Sequence, residues 1–179
     1  MRVAPIPLIY HRNPAVALQN AHLSSQLTHP YPTNTEACQI YTHLITLALS
    51  AASKADLAQA LTTYPFTCDP LRARFAKYTD KASFELVPEA RIESSGFVVA
   101  TLEAALWAFF TTDDFCAGAL KAVNLGDDAD TVGAVYGGLA GAFYGVEAIP
   151  VEWMEGLVKR DLIDDVVQSL VGLVESGEP

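Results

Sequence analysis

The stretch Gly96–Phe110, GFVVATLEAALWAFF, constrains the fold of this chain more than any other. Read at 3.6 residues per turn, it is apolar nearly all the way round. A helix of that kind must be covered on several sides by other elements. Trp107 within it is assigned to the core, and Glu103, its one carboxylate, to a paired structural role. The covering elements must also be apolar on one face, and the chain can supply them: 51% of its 179 residues are hydrophobic and only 18% charged. That length suits a single domain with a sizeable core.

The covering elements read as helices. Asn13-Pro14 places an N-cap before a proline at the first helical position, opening a helix to about Ser25. Thr28-His29-Pro30-Tyr31-Pro32 reads as an extended loop, because a residue before proline is biased away from the helical region. Thr33 and Glu36 have the spacing of a capping box for a helix from Ala37 to about Ala52. Ser53 can cap a helix over 54–63, and Asp69-Pro70 opens another to about Tyr78. Residues 79–95 are polar and read as irregular surface structure. Asp113-Asp114 begins a helix over 115–123, Thr131 to Tyr144 forms the next, and Pro150 starts a last helical region to about Val174. No run alternates in the manner of a strand between hairpin turns, and no internal repeat is visible. The expected fold class is all-α, a compact multi-helix domain over residues 1–179.

Charge narrows the function. With 11 basic and 21 acidic residues the net charge is −10, and Lys and Arg are not clustered, which argues against nucleic-acid binding. An anionic ligand would need a metal, backbone amides or a few local cations to offset the repulsion. Cys38, Cys68 and Cys116 form neither a CxxC nor a zinc pattern with the four histidines, and read as reduced core thiols. His11, His22 and His43 lack partner spacing. The opening residues do not form a signal peptide, and the longest weakly polar run, Val132–Val146, is too short to span a bilayer. The expectation is a soluble, cytoplasmic protein with no membrane contact.

Chemistry concentrates in Gly126-Asp127-Asp128-Ala129-Asp130-Thr131. Three carboxylates within four positions repel one another and are costly to pack without a cation. Asp128 and Asp130 can both face one point in a loop, and Thr131 adds a hydroxyl oxygen. Such hard ligands suit Mg²⁺, Ca²⁺ or Mn²⁺ rather than zinc. Helix capping and the helix dipole also favour Asp here, so the motif alone leaves a structural role open. In the helix that follows, Gly133, Gly137, Gly141 and Gly145 recur every fourth residue and read as a close-packing stripe. Trp153 is expected to pack the last helices together.

The run AVNLGDDADTVGAVYGGLAGAFYGVEAIPVEW, Ala122 to Trp153, resembles a signature of the ADP-ribosylglycohydrolases. MRVAPIPL at the start, LSSQLTHPYPTNTEAC (Leu23–Cys38) and GFVVATLEAALWAFFTTDDF (Gly96–Phe115) agree in order. The resemblance covers nearly the whole chain apart from the polar insert near residues 79–93. It implies an ADP-ribosylglycohydrolase-like orthogonal bundle around a site for two Mg²⁺ ions. The implied activity is hydrolysis of the glycosidic bond between ADP-ribose and a modified side chain or related conjugate. Asp128, Asp130 and Thr131 take the positions of metal ligands, and His29 that of a residue beside bound ADP-ribose.

Against the family's pattern, this sequence starts after a region holding a glutamate, a Thr-Asp-Asp metal motif and a glycine-containing ligand loop. Thr112-Asp113-Asp114 aligns elsewhere and is not that motif. An N-terminally truncated bundle is therefore expected, with half the metal site, weak Mg²⁺ binding and no turnover by the isolated chain. The alternative is a catalytically inactive paralogue or gene fragment that binds ADP-ribose or a protein. Truncation would also expose apolar surface and promote self-association.

Overall fold

The structure is a computed structural model that describes residues 2–176; Met1, the first residue of the MRVAPIPL match, lies outside the described residues. All elements among them are helical. In chain order they are α1 (Pro5–Tyr10), α2 (Pro14–Gln26), α3 (Pro32–Leu49), α4 (Lys54–Thr62), α5 (Asp69–Phe75) and α6 (Lys81–Glu85). A 3-10 turn, Glu89–Arg91, then leads to α7 (Val98–Phe110), α8 (Phe115–Val123) and α9 (Ala129–Tyr144), and a second 3-10 turn, Val146–Ala148, to α10 (Val151–Glu155) and α11 (Arg160–Ser176).

Helix α7 is the axis of the core, as its pattern requires: every residue from Val99 to Phe110 is buried. It packs against α3 and α9, which also touch each other, while α5, α6 and α8 cover its remaining sides. Helices α2 and α1 lie against α3. Each fully buried Leu or Phe in this layer contributes about 1.5–3 kcal/mol. Trp107 is core, and its Nε1 donates to the Val87 carbonyl at 2.9 Å. The buried Glu103 carboxylate accepts from Arg74 at 2.8 Å, Lys77 at 2.5 Å and the Tyr78 hydroxyl at 2.8 Å. The C-terminal end of α7 is held by Lys54, whose Nζ donates to the Phe109 and Thr112 carbonyls, groups that a helix end leaves without partners.

Several local expectations are corrected. The Thr33–Glu36 capping box does not form: α3 begins at Pro32 with Tyr31 as N-cap and no side-chain cap bond. Glu36 turns inward instead, accepting from Thr67 N at 2.6 Å, Thr67 Oγ1 at 2.7 Å and Cys68 N at 2.9 Å. The 79–95 segment is not merely surface. Asp80 and Ser83 form a capping box for α6, and Phe84 stacks on Tyr78 with ring centroids 3.9 Å apart. The proline-punctuated start of the chain is helical, with Pro5 in the first turn of α1. The last helical region is two helices, broken near Lys159, whose φ is +59°. The cysteines are free and half-buried, at the edge of the core rather than in it.

The glycine stripe also differs from expectation. A Cβ at Gly137 or Gly141 would meet nothing within 4 Å, whereas one at Gly133 would lie 3.0 Å from Val123. The close approach is at Gly138, where a Cβ would overlap the Tyr41 hydroxyl. Gly145, with φ +81°, ends α9. Trp153 stays 39% exposed and meets Phe115 at a centroid distance of 6.4 Å, so it packs on α8 rather than among the last helices.

Candidate functional site

A cavity of about 530 Å³ opens where α3, α7, the N-terminal end of α9 and the loop after α2 converge. Its floor includes Ala37, Cys38 and Tyr41 of α3 and Thr101 and Leu102 of α7. Tyr41 is buried and donates its hydroxyl to the Val135 carbonyl at 2.7 Å, locking α3 to α9. Burial pushes its phenol pKa well above the ordinary value.

One wall is the Thr28–His29 loop. The His29 amide donates to Ser25 O at 2.8 Å, and the Ser25 hydroxyl donates to His29 O at 3.3 Å. His29 Nδ1 lies 3.0 Å from Thr28 Oγ1, and Arg2 donates to that same hydroxyl at 3.0 Å and to Ser24 O at 3.1 Å. Arg2 thus brings a guanidinium to this end of the cavity, the kind of local cation that an acidic chain needs to hold an anion.

The opposite wall is the acidic loop. Gly126 and Asp127 both have left-handed backbones, at φ +74° and +49°. The turn is tied down by Ser94, whose hydroxyl donates to Gly126 O at 2.7 Å and whose carbonyl faces Asp128 N at 3.4 Å. Asp128 therefore ends beside Gly96 and accepts from the Thr131 hydroxyl at 3.0 Å. Both Asp128 and Thr131 line the cavity. Asp130 does not: it sits exposed in the first turn of α9. Among the described residues no group of three His, Cys, Asp or Glu side chains converges. The structure thus joins three of the four candidate residues, His29, Asp128 and Thr131, in one cavity and leaves Asp130 outside it. Arg2, Cys38, Tyr41 and Ser94 were missed by sequence reasoning, since each reaches the site only through tertiary packing. The small polar run Ser94-Ser95-Gly96, shortly before α7, was the one local signal available.

An all-helical domain with a cationic corner and an acidic loop facing each other across one cavity is the frame of a site for a ligand that is anionic at one end. The chain belongs to the ADP-ribosylglycohydrolase family, whose model matches residues 1–179. It is 32% identical over 170 residues to an ADP-ribosylarginine hydrolase of Serratia proteamaculans (strain 568), covering 95% of this chain and 44% of that protein. An ADP-ribosylarginine hydrolase of Pseudomonas putida (strain GB-1) is 34% identical over 171 residues, with the same coverage of 95% and 44%. The ADP-ribosyl-[dinitrogen reductase] glycohydrolase of Rhodospirillum rubrum is 42% identical over 86 residues, 45% of this chain and 29% of that one. A solved structure, described as an ADP-ribosylglycohydrolase-related protein complex, superposes with a TM-score of 0.84 at 37% identity, over 97% of this chain and 59% of that chain. The chain thus spans about half the length of the curated relatives it matches. No helix among the described residues is long and apolar enough to cross a membrane.

Proposed function

We propose that the cavity binds the ADP-ribose portion of an ADP-ribosylated substrate, and that the chain contributes the His29 and Asp128 walls to hydrolysis of the bond between ADP-ribose and a modified side chain. The observation that carries this reading is that His29, about a hundred residues away in sequence, lines the same cavity as Asp128 and Thr131, and that the cavity is large enough for a nucleotide-sized ligand. Arg2 and His29 suit the anionic diphosphate, and the Asp128–Thr131 end suits the bond to be cleaved.

The acidic loop fits a divalent cation in kind: the Asp128 and Asp130 carboxylates and the Thr131 hydroxyl are hard oxygen donors of the type Mg²⁺ takes. It fits only in part, because no third acidic, His or Cys group converges there among the described residues. When bound, the ion supplies Lewis acidity at the glycosidic bond. Thr131 holds the Asp128 carboxylate in orientation, and the N-terminus of α9 favours that carboxylate in its ionised form while offering nothing to the cation itself. Asp130, two residues on from Asp128, is exposed and would reach the same ion only with rotation of its side chain.

The second reading, ADP-ribose binding without turnover, is favoured by that same partial donor set. The apolar surface of the C-terminal helices supports self-association under either reading. Incubating the purified chain with ADP-ribosylated arginine and serine peptides and Mg²⁺ separates the two. Release of ADP-ribose that disappears in Asp128→Ala supports the hydrolase reading, and its absence leaves binding alone.

A further inference from the structure

The cavity is walled in part by the N-terminal halves of two helices that meet at its floor. Asn34, Ala37, Cys38 and Tyr41 of α3 line it, as do Asp128, Thr131 and Val135 along α9. Both sets recur every three or four residues, so each is one face of its helix. The faces meet where Tyr41 Oη donates to Val135 O at 2.7 Å, in the notch that Gly138 leaves by having no side chain. Among the described residues this is the one hydrogen bond between α3 and α9. The Leu139 amide, which a regular helix pairs with that same carbonyl, also bears on the hydroxyl. Apolar contacts between helices tolerate small slides, whereas a directional bond to a carbonyl fixes the register.

From this pin each helix runs seven residues, about 10 Å at 1.5 Å per residue, to the group it presents. On α3 the arm ends at Asn34. The adjacent Thr35 hydroxyl donates to Ser25 Oγ at 3.4 Å, and Ser25 holds the main chain of His29. On α9 the arm ends at Asp128, whose carbonyl accepts from Val132 N at 3.1 Å and whose carboxylate accepts from Thr131 at 3.0 Å. His29 and Asp128 therefore ride on two stiff arms pinned at one point. The gap between them is what a ligand reaching from wall to wall must fit. In a site of this kind a misplacement of about 1 Å can cost about 100-fold.

We infer that Tyr41 is a positioning residue: its hydroxyl, acting through α9, fixes the span between the His29 wall and the Asp128 end and so favours a ligand that engages both. The inference rests on the ADP-ribose reading of the cavity. ADP carries the diphosphate that Arg2 and His29 suit, and ADP-ribose adds the terminal ribose that extends to the Asp128 end under that reading.

The test is calorimetric titration of ADP-ribose and of ADP into the 179-residue chain without added Mg²⁺. Tyr41→Phe keeps the ring beside Gly138 and removes only the hydroxyl. Val135 O keeps the Leu139 amide as its helical partner, so the urea midpoint should fall by about 0.5 M or less. The expected result is ADP-ribose affinity weakened about tenfold, with ADP affinity changed less than about twofold. In an Asp128→Ala background Tyr41→Phe should lose its effect on ADP-ribose, because the arm it holds no longer presents the carboxylate. Gly138→Ala displaces the same hydroxyl from the α9 side and should give the same split between ligands, an independent reading should Tyr41→Phe fail to fold. Equal weakening of both ligands, weakening of neither, or an effect that persists in full beside Asp128→Ala overturns the positioning role and leaves the cavity its ligand. ADP that fails to bind where ADP-ribose binds overturns the division into two ends on which the span rests. A wild type that binds neither ligand overturns the cavity reading, and the positioning role with it.

Discussion

Removing Glu103 should destabilise the fold by about 3 kcal/mol, and the figure follows from what its carboxylate holds. The side chain has no exposure and accepts from Arg74, Lys77 and Tyr78. In Glu103→Ala the Tyr78 hydroxyl is left buried and unpaired, a loss of about 1–3 kcal/mol. A void in the middle of α7 adds to it. The two cations cost less than fully buried charges would, because the Arg74 and Lys77 side chains are 26% and 41% exposed and can turn to water. Glu93 is the control: it pairs with the same Arg74 at 3.2 Å but is 57% exposed, so Glu93→Ala should cost less than about 1 kcal/mol. Urea denaturation followed by circular dichroism reads the contrast. With a slope of about 2 kcal/mol/M, Glu103→Ala should lower the midpoint by about 1.5 M and Glu93→Ala by less than about 0.5 M. Equal shifts for the two variants would refute the claim that the buried network, rather than surface charge, holds this part of the core.

Two glycines of α9 should respond oppositely to alanine. Gly138→Ala drives a methyl into the Tyr41 hydroxyl and should cost about 1–3 kcal/mol, whereas Gly141→Ala meets open space and should gain up to about 1 kcal/mol in helix propensity; thermal melts compare them. For Glu36, burial raises the carboxyl pKa but the hydrogen bonds from Thr67 and Cys68 outweigh it, so the folded value lies below the ordinary 4.5. Its contribution is therefore full above pH 4.5 and lost as the pH falls through the lower folded value. Glu36→Gln should accordingly flatten the acid limb of a stability-versus-pH curve. Ser94→Ala frees the turn at Gly126 and should weaken ligand binding by several-fold, measured by calorimetry, with little change in the urea midpoint.

What the sequence made legible was the local part of the fold. The apolar circumference of α7 required a central buried helix, and Asn13, Ser53 and Asp114 act as caps where their spacing places them. Glu36 was misread because its partners lie 31 and 32 residues away, and no local pattern separates a capping glutamate from one turned inward. Residues 79–95 looked like surface because their polar and charged residues outnumber Phe84 and Ile92, the buried side chains that anchor them. The stripe of Gly137 and Gly141 carried a periodicity that no described residue fills. At the site, the spacing of Asp128 and Asp130 allowed convergence, but the left-handed turn at Gly126–Asp127 aims only the first into the cavity. Arg2 and Tyr41 reach the site from other elements, which spacing along the chain does not encode.

The most direct test of the central claim is calorimetric titration of ADP-ribose into the purified chain, with and without Mg²⁺, beside His29→Ala and Asp128→Ala. The account predicts one ligand per chain with a dissociation constant of about 10 µM, weakened about five- to tenfold in His29→Ala and made insensitive to Mg²⁺ in Asp128→Ala. No binding, or binding that neither substitution changes, would contradict the assignment of this cavity to ADP-ribose.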